Sequence, residues 1–206
     1  MDERSAGPWA LLKRASVYTW LQTMIGGPNL RQYIVEHYIR PSPGDQVLDV
    51  GCGPADFAPL MPEVAYVGVD HNPDYIAHAQ SRYGGGTARF LNEDVSADGF
   101  GFAGAFDIIL AIGLLHHLDD SQTADLLVAI RRCLKPEGRV ISIDPAWTKP
   151  QHWLARLIIQ NDRGQHVRTP SSYQQLAEAV FGRVTTEVRT DLLRLPYTHL
   201  IMQCAA

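Results

Sequence analysis

Cysteine is scarce and scattered: Cys52, Cys133 and Cys204 are the three in 206 residues. An odd, widely spaced set excludes a disulfide framework and a cysteine-built structural zinc site, so a reducing, cytoplasmic setting is expected and no metal is assigned. A positive charge balance is missing too. The 18 Lys and Arg against 22 Asp and Glu leave a formal net charge of −4, which gives no electrostatic footing for nucleic acid as a partner. Long apolar runs are absent. The strongest, Phe106 to Leu115, contains Asp107 and Gly113 and is too short to span a bilayer, so no membrane association is expected. The opening Met1-Asp2-Glu3-Arg4 has no apolar stretch of the secretory kind. Repeats and low-complexity segments are lacking. What remains is a chain sized for one α/β domain with one sizeable core.

Within that domain, residues 9–25 read as a partly amphipathic helix carrying Trp9, Tyr18 and Trp20, and Asn29 to Arg40 resumes a helical pattern. These residues form an N-terminal helical extension, 1–44, placed as a lid segment. Pro41-Ser42-Pro43-Gly44-Asp45 is a dense breaker cluster that opens the core, 45–145. Strands are expected at 46–50, 65–69, 88–91, 106–112 and 139–143. Helices are expected from about 55, over Pro73–Tyr83 and over Ser121–Leu134, the last capped by Ser121. The alternation of strands and helices argues for a doubly wound, mostly parallel sheet with helices on both faces. Residues 146–206 differ: helices at 151–160 and 172–181 precede strands at 184–190 and 197–204, an antiparallel pair at the end of the sheet.

The most informative stretch is Val47-Leu48-Asp49-Val50-Gly51-Cys52-Gly53-Pro54-Ala55-Asp56. A buried strand runs into two glycines, which permit a tight turn and close approach of a ligand to the main chain. Asp70 ends the next apolar run, where a carboxylate can accept both hydroxyls of a ribose. The dinucleotide fingerprint G-x-G-x-x-G needs glycine at its sixth position, where this chain has Asp56. A nicotinamide oxidoreductase is therefore the second reading, and a non-catalytic binding module the third.

Asp49-x-Gly51-x-Gly53 resembles the first motif of the class I S-adenosylmethionine-dependent methyltransferases. Four further segments follow in the family's order: Asp70 after the second strand, Asn92-Glu93-Asp94-Val95, the Phe106–Asp120 strand and loop, and Leu134-Lys135-Pro136-Glu137-Gly138. The resemblance spans residues 45–145. It implies a Rossmann-like seven-stranded sheet with an antiparallel terminal strand, and S-adenosyl-L-methionine as cofactor. It also implies the cofactor set. Asp49 lies near the methionine end, and Gly51, Cys52 and Gly53 form the turn, with Cys52 a small filler. Asp70 and the adjoining His71 lie at the ribose, Asp94 and Val95 at the adenine, and Ile112 and Gly113 at the end of the fourth strand. Ala55 departs from the family's third glycine, and a slightly altered turn is expected there.

Of the pair His116 and His117, consecutive residues on a helix diverge by about 100°, and the resemblance turns His117 toward the pocket as the candidate base, with His116 beside it. Acceptor contact is assigned to Asp144 and Trp147 after the fifth strand and to Arg163, His166 and Arg168, a group able to grip an anion. No Asn-Pro-Pro-Tyr run follows the fourth strand, so a small-molecule acceptor is expected, with oxygen placed ahead of nitrogen or carbon.

Overall fold

The protein is described by a computed structural model over residues 27–97, 100–162 and 164–205. The lid residues Trp9, Tyr18 and Trp20 and the acceptor candidate Arg163 lie outside them. The chain enters through helix α1 (Gly27–Ile34), continued by a π-helical turn at Val35–Ile39 that Arg40 closes in the left-handed region, φ 44°. Strands β1 (Gln46–Val50) and β2 (Ala65–Val69), helix α2 (Pro73–Tyr83) and strands β3 (Arg89–Leu91) and β4 (Phe106–Ile112) follow. Helix α3 (Asp120–Cys133), strand β5 (Leu134–Pro145), helices α4 (Trp153–Gln160) and α5 (Pro170–Glu178), and strands β6 (Arg183–Arg189) and β7 (His199–Ala205) complete the order.

The seven strands form one sheet in the order β3-β2-β1-β4-β5-β7-β6. β1, β2, β3, β4 and β5 pair in parallel, whereas β7 pairs antiparallel with both β5 and β6. The expected terminal pair is present, with the last strand wedged inside β6 rather than at the edge.

Alternation along the strands decides which side each helix covers. Leu48, Val50, Val67, Val69 and Ile109 point to a layer made by Leu126, Leu127 and Ile130 of α3 and Tyr173 and Ala177 of α5. Val47, Tyr66, Ile108, Leu110 and Ile141 point the other way, against Ile34, Val35, Tyr38 and Ile39 of the entry helix and Ala79 of α2. Each such side chain contributes about 1.5–3 kcal/mol through burial. Together they hold the C-terminal ends of the parallel strands at one rim.

Two local expectations are corrected. No α-helix follows β1: residues 51–57 turn, and a single 3₁₀ turn, Ala58–Leu60, follows. Pro54, Pro59 and Pro62 each remove a backbone donor, and Ala55 is left-handed at φ 60°. α3 is capped by Asp119 and not by Ser121. Its carboxylate accepts from the Gln122 amide while the Gln122 side chain accepts from the Asp119 amide, a reciprocal capping box. α2 starts on Asn72, whose side chain accepts from the Asp74 amide at 2.9 Å, with Pro73 in its first turn.

Candidate active site

Strand order reverses between β1 and β4, and ligands of open α/β sheets bind outside the carboxyl ends of strands at such a switch point. The Gly51–Gly53 turn lies there. Gly51, at φ +69°, turns back so that its amide donates to Val69 O at 2.8 Å, and a Cβ on it would meet Leu114 Cδ1 at 2.9 Å. The space over Gly53 is different: a Cβ there would touch nothing within 4 Å. That opening, bounded by Asp70, is where a ligand can reach the main chain.

Asp70 is fixed from three sides. The Gly53 amide donates to its Oδ2 at 2.9 Å, the Asn72 amide to its Oδ1 at 2.8 Å, and the Asn92 side chain to its main-chain oxygen at 2.9 Å. Each carboxylate oxygen thus accepts one of these backbone donors and retains a lone pair, which suits a vicinal diol. His71 beside it is exposed, its Nδ1 at 3.8 Å from Asp70 Oδ1. Asp49 sits deeper, buried, and accepts a hydrogen bond from the Tyr66 hydroxyl. Burial pushes its carboxyl up to about 7 against the opposing pull of that hydroxyl. Burial likewise pushes the Cys52 thiol far up, so it is a packing atom and no nucleophile. Asp94 is exposed and accepts from the Ser96 amide at 2.8 Å, Val95 is buried in the α3-side layer, and Gly113 is exposed at the end of β4 with Ile112 half-buried before it.

The two histidines lie in different environments. A 3₁₀ turn at Leu115–His117 sends His116 inward and leaves His117 exposed. His116 Nδ1 lies 2.8 Å from Asp144 Oδ1, and Nε2 lies 3.4 Å from Asp162 Oδ1. Burial alone would lower its pKa, but the two carboxylates win and raise it to about 9. Asp144 is buried beneath the ring and also accepts from Ser142 Oγ at 2.7 Å. The loop from Asp162 is strapped across the ring: His166 N donates to His116 O at 3.0 Å. A Cβ at Gly164 would come within 1.9 Å of His116 Cδ2, so only glycine lets the main chain pass there.

Arg168 is also corrected. It is buried, and its guanidinium donates to the carbonyls of Leu115 (3.0 Å), Leu118 (2.7 Å) and His166 (3.0 Å), to Thr123 Oγ1 and to Asp120 Oδ1. With its donors consumed by the protein, it ties the post-β4 loop to the post-β5 segment and offers an acceptor nothing. His166 is exposed and Trp147 half-buried, its amide on Arg168 O at 3.0 Å.

Three residues at this rim were not singled out from sequence: Asp162, Tyr197 and His199. The Tyr197 hydroxyl donates to Asp162 Oδ2 at 3.4 Å, and its ring lies 4.7 Å from that of His199. His199 Nδ1 is buried without a hydrogen-bond partner, and burial with the nearby Arg189 cation lowers that imidazole to about 4. Only the antiparallel return of β7 beside Pro145 brings these groups to the rim, and no short-range pattern encodes that.

A seven-stranded sheet of this order, with a glycine turn and a fixed carboxylate at its switch point, defines a nucleoside-binding α/β domain. The dinucleotide alternative expects β6 beside β5 in the order 3-2-1-4-5-6, whereas β7 intervenes here. Asp56, at the would-be third glycine, is paired with Arg31 at 2.6 Å. Residues 47–138 match the family model described as a methyltransferase domain. Over 80 residues the chain is 36% identical to an uncharacterised methyltransferase of Mycobacterium tuberculosis, covering 38% of this chain and 40% of that one. Over 101 residues it is 29% identical to a ubiquinone biosynthesis O-methyltransferase of Pectobacterium atrosepticum, covering 47% and 41%. The matched stretches thus make up less than half of either curated relative's length. A SAM-dependent methyltransferase from Archaeoglobus fulgidus superposes with a TM-score of 0.70 at 18% identity, over 91% of this chain and 99% of that one. Residues 47–138, just under half of the chain, resemble a methyltransferase domain, and the seven-stranded, mostly parallel sheet around them is a fold shared with solved S-adenosylmethionine-dependent methyltransferases. S-adenosylmethionine is the cofactor of those methyltransferases.

Proposed function

We propose that this chain binds S-adenosylmethionine across the Gly51–Gly53 turn and transfers its methyl group to a small-molecule acceptor, with oxygen the favoured accepting atom. The observation that carries the reading is Asp70 at the end of β2, whose two carboxylate oxygens are held by the Gly53 and Asn72 amides, one each. The cofactor supplies the electrophile, a methyl group on a sulfonium. The chain's share is to hold the acceptor in line with the carbon–sulfur bond and to keep water out. Orientation of this kind supplies roughly 7–11 kcal/mol, against a factor of about 10²–10⁴ for a general base. Asp49 and Tyr66 stiffen the floor of the turn, and Arg168 fixes the loop that carries His116 and His117. Asp162, Tyr197 and His199 supply the polar wall on the acceptor side, with Asp144 buried behind His116.

The net charge of −4 argues for a small molecule over a nucleic acid. Similarity to the Pectobacterium O-methyltransferase favours oxygen. Thermal-shift titration with S-adenosylhomocysteine tests the cofactor half. Saturable stabilisation is expected, approaching about 2.7 kcal/mol at a hundredfold excess over Kd. A flat response, or stabilisation by NAD instead, contradicts it.

A further inference from the structure

We propose that His116, His117 and Asp162 form a binding site for one divalent transition-metal ion of the zinc or ferrous class at the acceptor side of the crevice. One donor atom from each of these side chains lies within 4.8 Å of the others. A tetrahedral ion with ligands at 2.0–2.2 Å has donor–donor edges of about 3.4 Å. His116 Nε2 and Asp162 Oδ1 are 3.4 Å apart, and the His117 ring lies beside that of His116, centroid to centroid 4.1 Å.

The supporting shell is in place. His116 Nδ1 donates to buried Asp144, which Ser142 Oγ also meets at 2.7 Å. A histidine oriented by a carboxylate through its far nitrogen is the usual arrangement behind a metal-bound imidazole. Asp162 is oriented in the same way, by the Gly164 amide at 2.9 Å and the Tyr197 hydroxyl at 3.4 Å. Charge points in the same direction. Two carboxylates, Asp144 and Asp162, lie against the two ring nitrogens of His116 at 2.8 and 3.4 Å. Two imidazoles and one carboxylate, with no thiolate, suit zinc or ferrous iron over magnesium or calcium. The site is open on the His117 side, where Asp162 is 27% exposed, so a further coordination position faces the crevice. On binding, the ion takes the place of the proton on His116 Nε2, which passes to solvent.

The consequence for the acceptor rests on the methyl-transfer reading: an acceptor hydroxyl bound at the open position loses its proton more readily.

The test is metal uptake by the purified full chain, stripped with a chelator and titrated with Zn²⁺, with Co²⁺ as a spectroscopic probe and Mg²⁺ as comparison. Uptake of one Zn²⁺ per chain is expected, together with visible d–d absorption of the Co²⁺ form and no competition from Mg²⁺. His117→Ala and Asp162→Asn, both at solvent-accessible positions, are each expected to weaken Zn²⁺ at least tenfold, with circular dichroism confirming that they fold. Failure to take up Zn²⁺ stoichiometrically overturns the proposal, and so does uptake that neither substitution changes. S-adenosylhomocysteine binding is measured on the same samples. Its loss with metal uptake intact strikes the methyl-transfer reading alone, and the reverse result strikes the metal site alone.

Discussion

At the scale of single residues, two buried ionisable groups near the rim pull stability in opposite directions with pH. Asp49 keeps its proton in the folded chain between the ordinary 3.8 and about 7, where the unfolded chain has lost it, so its effect is to reduce stability as pH rises through that window. His199 stays neutral down to about 4, whereas the unfolded imidazole takes up a proton below 6.5, so its effect is to reduce stability as pH falls from 6.5. Asp49→Asn is expected to gain stability above pH 7, by on the order of 4 kcal/mol at most, and to leave a profile that climbs from pH 4 to 6.5. His199→Gln is expected to do the reverse and leave a falling profile. Urea denaturation across pH 4–8 reads both, and unchanged slopes in the two variants would refute the burial argument. In sequence, Asp49 stands out inside an apolar run that leads into the Gly51–Gly53 turn, and Asp70 stands out at the end of the next apolar run. The environment of His116 does not, because its partners Asp144 and Asp162 are 28 and 46 positions away along the chain. Nothing in Leu115-His116-His117 tells which ring turns inward.

At the scale of elements, Arg168 is the clearest case of a charged residue employed as a brace. Its side chain joins the turn after β4, the start of α3 and the segment leading to α5. Arg168→Met leaves three carbonyl oxygens short of a donor, each costing about 1–3 kcal/mol when buried, so a loss of at least about 3 kcal/mol is expected in chemical denaturation. A loss below 1 kcal/mol would return Arg168 to the role of a ligand contact. Strands β1, β2 and β4 have the boundaries expected from their β-branched runs, since fully buried parallel strands carry an unbroken apolar signature. The segment after β1 was misjudged as helix because apolar spacing ignores three prolines and the left-handed Ala55. A methyl group is tolerated where the family has glycine, and the residue there is fully buried. The capping box of α3 is readable in Asp119-x-x-Gln122, two residues before the expected serine cap.

At the scale of the whole molecule, the sheet order decides what the parts can do. Placing β1 between β2 and β4 brings the glycine turn, Asp70 and the post-β4 loop to one rim, and the antiparallel β7 adds Tyr197 and His199 to its far side. Among the described residues, no helix is long and apolar enough to cross a membrane. Under the proposed function the rim divides into a cofactor half, proposed from five ordered motifs, and an acceptor half that topology assembles from residues 116–199. The cofactor half is tested most directly by titration calorimetry of S-adenosylhomocysteine into the native chain and into Asp70→Ala. Hydrogen bonds to a charged acceptor contribute about 1.5–3 kcal/mol each, and 1.4 kcal/mol is about tenfold in affinity. The expected result is saturable binding to the native chain, weakened at least tenfold by the substitution. Equal affinity in both proteins, or no binding to either, would contradict it.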